Sequence, residues 1–473
     1  MVFNSFSYLI FFPTIVAIYF AVPYRFRWVV VLTGSYYFYM SWKPIYGLLL
    51  FSTTLVDWAL ALWMGRYAEK SKRKLILSVS VIANLGVLFF FKYFNFINTS
   101  LWDFFNLNGD PLLLKIILPI GISFYTFQSI AYMVDVYRGE LKPEKNLGRY
   151  AAFVSFFPHL VSGPILRPSN IIPQIHEKKD WKSENVKIGL FLIATGLIKK
   201  VVIADNLSFL VDKAFSSPDV LSGSTLLLAT YFFGFQIYCD FAGYTDIAIG
   251  SAKILGYQIP DNFRQPYFSK SIPEFWRRWH VSLSSWIRDY LYIPLGGNRR
   301  GEARTYFNLM ITMLLVGLWH GAAWTFVLWG FLHGFFLIFS KATVGARDRF
   351  LAFIRMPKFL KHAWRMFFAF NLVSIAWVFF RAKSTHDALT IVKTIFISFG
   401  SLNYSVFSGA EVLFAVALIT ALIIFDALES NKALSRRLVS LPWYYEAGFL
   451  YAALLVLMSI AATQGPRFIY FQF

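Results

Sequence analysis

The sequence predicts an all-α polytopic membrane protein of about 10–12 transmembrane helices with added re-entrant and amphipathic segments. Three observations carry that prediction. The chain of 473 residues is 57% hydrophobic, 20% aromatic and only 15% charged, more apolar surface than a soluble fold could bury. Its apolar residues fall into successive runs of near-spanning length, and its basic residues collect in the short segments between those runs. The net charge of +20, from 45 Lys and Arg against 25 Asp and Glu, follows from this positive-inside pattern and does not indicate a nucleic-acid surface. The single cysteine, Cys239, excludes an intramolecular disulfide framework and reads as a small buried residue.

The first runs lie near 6–22, 28–42, 45–63 and 75–94. Phe6 to Val22 is expected to be a retained first span, because Met1 to Ser5 carries no positive charge and no small-residue cleavage site stands out. The basic stretch Arg66 to Lys74 is cytoplasmic by the charge rule. That choice places Arg25 and Arg27 inside, and puts the N-terminus and the Lys- and Arg-free segment Asn95 to Asp110 outside.

The next run, 117–139, enters at Pro119 and Gly121 and carries Ser123, Tyr125, Thr126, Gln128, Tyr132 and Asp135. Polar residues at that density predict a helix facing protein, with substrate lining as the second reading. Residues 156–175 contain four prolines and are expected to form a broken or re-entrant element, with His159 a candidate tunnel residue or a structural histidine. Lys199 and Lys200 interrupt the run that ends at Ile203. In 236–250, Asp240 and Asp246 are two carboxylates that could serve as acid and base, cap helices or anchor a basic neighbour.

The stretch 274–300, EFWRRWHVSLSSWIRDYLYIPLGGNRR, repeats Trp276, Trp279, His280, Leu283, Ile287, Tyr290 and Leu291 at helical spacing. It predicts an amphipathic helix closed by Pro294 and the Gly296, Gly297, Asn298 turn. After Arg299, Arg300 and Arg304 an apolar run extends to Ser340, and within it GLWHGAAW (317–324) holds His320. An ionisable group at membrane depth is by default a functional-site candidate. His320 lies about 16 residues beyond Arg304, or ~24 Å along a helix, toward the external half, whereas His280 belongs to the cytoplasmic basic element. His333 is assigned to helix packing. Lys341 to Arg365, with seven Lys or Arg, returns to the cytoplasm, and spans at 366–380, 411–428 and 446–463 bring the C-terminus outside. No internal repeat or separate soluble domain is evident, so residues 1–473 read as one transmembrane domain with 468–473 as an external aromatic tail.

The run RRWH, RDYLYIPLGGNR and LWHG resembles the membrane-bound O-acyltransferase family, in its alginate O-acetyltransferase branch, and the resemblance covers nearly the whole chain. It implies a through-membrane tunnel, with His320 catalytic and His280 in the same tunnel. Trp276, Arg278, Trp279, Asp289, Tyr290, Trp319 and Trp324 are the expected substrate-binding residues. The ending FIYFQF resembles a terminal motif whose tyrosine, here Tyr470, accepts and relays the acyl group; an interfacial aromatic anchor is the alternative. The resemblance further implies a bacterial cytoplasmic-membrane enzyme that takes acetyl from cytoplasmic acetyl-CoA or a carrier-protein thioester. An external partner with a Ser-His-Asp site of the SGNH type would pass the group to an exported polysaccharide. No bound cofactor, metal or nucleic acid is expected. A transporter of an acylated carrier, or direct acylation of a lipid or protein hydroxyl, would also use many spans.

Overall fold

The computed structural model describes residues 1–473 apart from 162, 430–436, 438–439, 461–467 and 470–473. Its described residues form helices and connecting loops without strands. Two compact units emerge: Met1–Ala194 with Tyr244–Pro260, and Thr195–Gly243 with Asp261–Phe473.

Seven of the described helices are long and apolar enough to cross a membrane: Ile45–Met64, Lys70–Phe104, Gly223–Ile254, Trp324–Phe353, Lys358–Arg381, Gly409–Leu428 and Trp443–Ile460. The expected 10–12 also takes in shorter or more polar helices, which fall outside these seven. Phe6–Ala21 and Arg27–Met40 are only 16 and 14 residues long. Ile122–Arg138 and Glu302–His320 carry polar side chains that a lipid-facing helix would not tolerate.

In the first unit, neighbouring helices pack in chain order, and Ile122–Arg138 lies against both Ile45–Met64 and Lys70–Leu88. Ser123, Thr126, Gln128, Ser129 and Asp135 are all buried along it, which bears out the expectation that this helix faces protein. A carboxylate that composition does not single out, Asp57, is hidden between the first two of these partners. It accepts hydrogen bonds from Ser80 Oγ at 2.6 Å and Asn84 Nδ2 at 2.9 Å, which offset the cost of its burial. The proline-rich segment is broken as expected, into Phe157–Leu160 and Pro168–His176. His159 is buried and hydrogen-bonds the Gln128 side chain.

In the second unit, Glu302–His320 and Trp324–Phe353 form a tight hairpin, and Lys358–Arg381 packs along the latter. The hairpin closes where Gly317 and Gly330 meet. A Cβ on Gly317 would stand 2.3 Å from the Phe326 carbonyl oxygen, and one on Gly330 would stand 2.4 Å from that of Met313. Helices approach this closely only where neither carries a side chain.

Candidate active site

The 274–300 stretch is not one amphipathic helix. Ile272–Arg278 stops at Trp279, His280 takes a left-handed backbone (φ 43°), and a second helix, Val281–Ile287, begins immediately after it. The cause lies in the preceding loop. Asn262 accepts the Val281 amide with its backbone oxygen at 2.9 Å, while its Oδ1 accepts from Ser282 N at 3.2 Å and Ser282 Oγ at 2.8 Å. These bonds hold the first turn of the new helix and offset a backbone conformation costly for a residue with a Cβ. Periodicity cannot reveal this break, because the residues on both sides of it still repeat at helical spacing. Beyond Ile287 the chain continues as a wide turn, Arg288–Tyr292, and ends at the expected glycine turn.

His280 is fully buried, and its Nδ1 lies 3.0 Å from Asn262 Oδ1. Since that oxygen already receives the Ser282 amide, it can only accept, so Nδ1 carries the proton and Nε2 is the basic nitrogen. Burial lowers the imidazole to about 3, which keeps it neutral at physiological pH.

His320 is the last residue of its helix, and Gly321 continues in an extended conformation. No side chain fits at 321, where a Cβ would stand 2.1 Å from the Phe326 ring. His320 is 4 % exposed, and its ring lies 4.9 Å from Trp319, 5.0 Å from Trp329 and 5.3 Å from Phe380, measured between centroids. Trp319 also lies 6.2 Å from His280. One indole therefore touches both histidines that the sequence singles out.

A third histidine joins the cluster through Trp329, whose ring is 4.7 Å from His333. His333 is fully buried, and among the described residues neither of its nitrogens has a hydrogen-bond partner. The same holds for the indole N–H groups of Trp276 and Trp329 and for Ser374 Oγ. Buried polar groups are ordinarily paired, and packing alone leaves this polarity unexplained. Unpaired donors and acceptors in an aromatic shell are suited to receiving the polar atoms of a ligand. From sequence alone His333 is a helix-packing residue on the apolar run that follows His320.

The other predicted residues divide into two groups. Trp276 lies 5.1 Å from His333, and Trp279 is buried 5.0 Å from Trp377, so both belong to the aromatic shell. Arg278 pairs with Glu274 at 2.8 Å, Asp289 with the exposed Arg288 at 2.6 Å, and Tyr290 packs on Trp286. Trp324 is 56 % exposed. Asp240 does anchor a basic neighbour, the buried Lys200, at 2.7 Å. Cys239 is buried, as expected. Tyr470 lies outside the described residues. Just before it, Phe468 and Ile469 are buried instead of lying on a surface, and Phe241 stands between Phe468 at 6.1 Å and His280 at 4.7 Å. No group of three or more His, Cys, Asp or Glu able to hold a metal occurs among the described residues.

Comparison with known proteins yields a consistent set of relatives. A family model for MBOAT, the membrane-bound O-acyltransferase family, matches residues 76–384, a range that contains all three clustered histidines. The probable alginate O-acetylase of Azotobacter vinelandii is 41% identical over 415 residues, covering 87% of this chain and 81% of the relative. Peptidoglycan O-acetyltransferase of Helicobacter pylori is 39% identical over 394 residues, covering 77% and 72%. Teichoic acid D-alanyltransferase of Bacillus subtilis is 31% identical over 284 residues, covering 56% and 68%.

Proposed function

The chain belongs to the membrane-bound O-acyltransferase family, in the branch of the alginate O-acetylases, and from that premise we propose that it carries acetyl groups across a bacterial cytoplasmic membrane for O-acetylation of an exported glycan. The observation that carries this reading is the meeting of His280 and His320 on the Trp319 ring. Acetyl is favoured over alanyl because the relatives that match with higher identity and coverage are named for acetyl transfer.

In this reading the donor is a cytoplasmic acetyl thioester, acetyl-CoA or a carrier-protein conjugate. Arg277, Arg299, Arg300 and Arg304 are exposed cations suited to its phosphates or to an acidic carrier. The acetyl end enters the aromatic shell, where the unpaired polar atoms around His333 are suited to the polar atoms of the donor arm. His320 takes the proton from the Tyr470 hydroxyl as its oxygen attacks the thioester carbonyl. The C–S bond breaks, a C–O ester forms, and the proton passes to the departing thiolate. A phenyl ester keeps enough reactivity for a second transfer, because phenol, with a pKa of about 10, is a good leaving group. An external partner with a Ser-His-Asp site would then move the acetyl group to a polysaccharide hydroxyl. His280, neutral and held by Asn262, orients this chemistry from the other side of Trp319.

The test is release of free thiol from acetyl-CoA by the purified protein, with and without the external acceptor system. Release that requires the protein and rises with the acceptor is expected. Polymer acetylation without thiol release would contradict acyl transfer and favour transport of a preformed ester.

A further inference from the structure

We propose that Asp240 is a positioning residue for the C-terminal tail, held by Lys200 so that its outer oxygen captures the backbone N–H of Ile469. The inference deepens the relay reading, because Ile469 immediately precedes Tyr470.

Lys200 Nζ lies 2.7 Å from Asp205 Oδ1 and 2.7 Å from Asp240 Oδ1, and all three side chains are almost completely buried. The local fold is shaped to admit them. The helix around Lys200 widens into a π-turn over Ile198–Ala204, a feature that often marks functional positions. Gly243 also lets the Gly223–Ile254 helix approach, since a Cβ there would meet the Gly196 carbonyl oxygen at 2.6 Å and Lys200 N at 2.9 Å. A plain staple between helices would need one acid for one base, and buried ion pairs are in any case poor sources of stability. Here two carboxylates face one ammonium. The second oxygen of Asp240 accepts from Ile469 N at 2.7 Å, a residue 229 positions later in the chain.

A short hydrogen bond to a charged acceptor is among the stronger ones a protein can make. It uses only main-chain atoms of the tail, so it fixes register without engaging the tyrosine side chain that follows. Burial of Phe468 against Phe241 adds a second point of attachment close to His280.

The electrostatics supply a clean control. Asp205→Asn and Asp240→Asn each remove one negative charge and each leave Lys200 with one carboxylate, but among the described residues it is Asp240 that bonds the tail. Hydrogen exchange of the full-length protein in micelles, read at the Ile469 amide, separates the two roles. Asp240→Leu, which deletes the acceptor, should speed exchange by about tenfold or more, with Asp240→Asn intermediate and Asp205→Asn within about twofold of the parent. Should Asp240→Leu not fold, Asp240→Asn against Asp205→Asn still decides the question, because each retains a neutral pair. Unchanged Ile469 protection in the Asp240 variants, or equal loss in Asp205→Asn, would overturn the proposal. If exchange rises in the Asp240 variants while acetyl transfer holds at the parental rate, the anchor stands and the tyrosine relay is rejected.

Discussion

Two buried polar clusters in the same unit handle their polarity in opposite ways. Around Lys200 the charges are engaged within the protein: one ammonium faces two carboxylates, and the second oxygen of Asp240 takes a backbone N–H. Around His333 and its tryptophans the polar atoms are neutral and, among the described residues, many have no partner within the protein. Charges removed from water must be compensated internally or the fold pays heavily, whereas neutral donors and acceptors can be left for a ligand at modest cost. On this contrast we propose that the paired cluster is an anchor and the unpaired one a ligand site.

That contrast is open to attack by substitution. The largest expected effect is on activity: His320→Ala should lower acetyl transfer by about 10²–10⁴-fold, the usual contribution of a general base, while the thermal melt in detergent stays close to the parent. Lys200→Met should do the reverse. It leaves two buried carboxylates without their cation, at a cost of about 3–5 kcal/mol, so its melt should collapse before any catalytic effect can be measured. Asn262→Ala sits between the two, because it strands the Ser282 amide and frees the His280 tautomer. A loss of about 1–3 kcal/mol in stability, accompanied by reduced transfer, is expected. His333→Phe should be mildest for the fold. Removing unpaired nitrogens from an aromatic shell should shift stability by no more than about 1 kcal/mol, and slower transfer at an unchanged melt would mark the cluster as a ligand site. A large loss of stability in His333→Phe would erase the distinction between the clusters.

The sequence makes one half of this contrast legible and hides the other. His320 stands out because an imidazole in an apolar run is expensive, and the polar density of 117–139 correctly points to a helix facing protein. The break at His280 is invisible to periodicity, since its cause is Asn262, 18 residues upstream. The Lys200 cluster is hidden for a similar reason. Asp240 and Lys200 are each visible as oddities in apolar runs, but nothing local says that they meet, and still less that the distant tail completes them. His333 gives no such signal in sequence, because a histidine among aromatic residues is compatible with packing, and the lack of partners for its nitrogens among the described residues is visible only in three dimensions. The count of 10–12 spans takes in shorter or more polar helices, such as Phe6–Ala21 and Glu302–His320, beside the seven long apolar ones.

The central claim is that His320 drives transfer of an acetyl group from a thioester to the Tyr470 hydroxyl. Mass spectrometry of the C-terminal peptide, after incubation of the purified protein with acetyl-CoA and no external acceptor, tests it most directly. An acetyl group on Tyr470 in the parent and none in His320→Ala is the predicted result. A parent whose tail remains unmodified while polymer acetylation proceeds, or a His320→Ala variant acetylated at the parental rate, would contradict it.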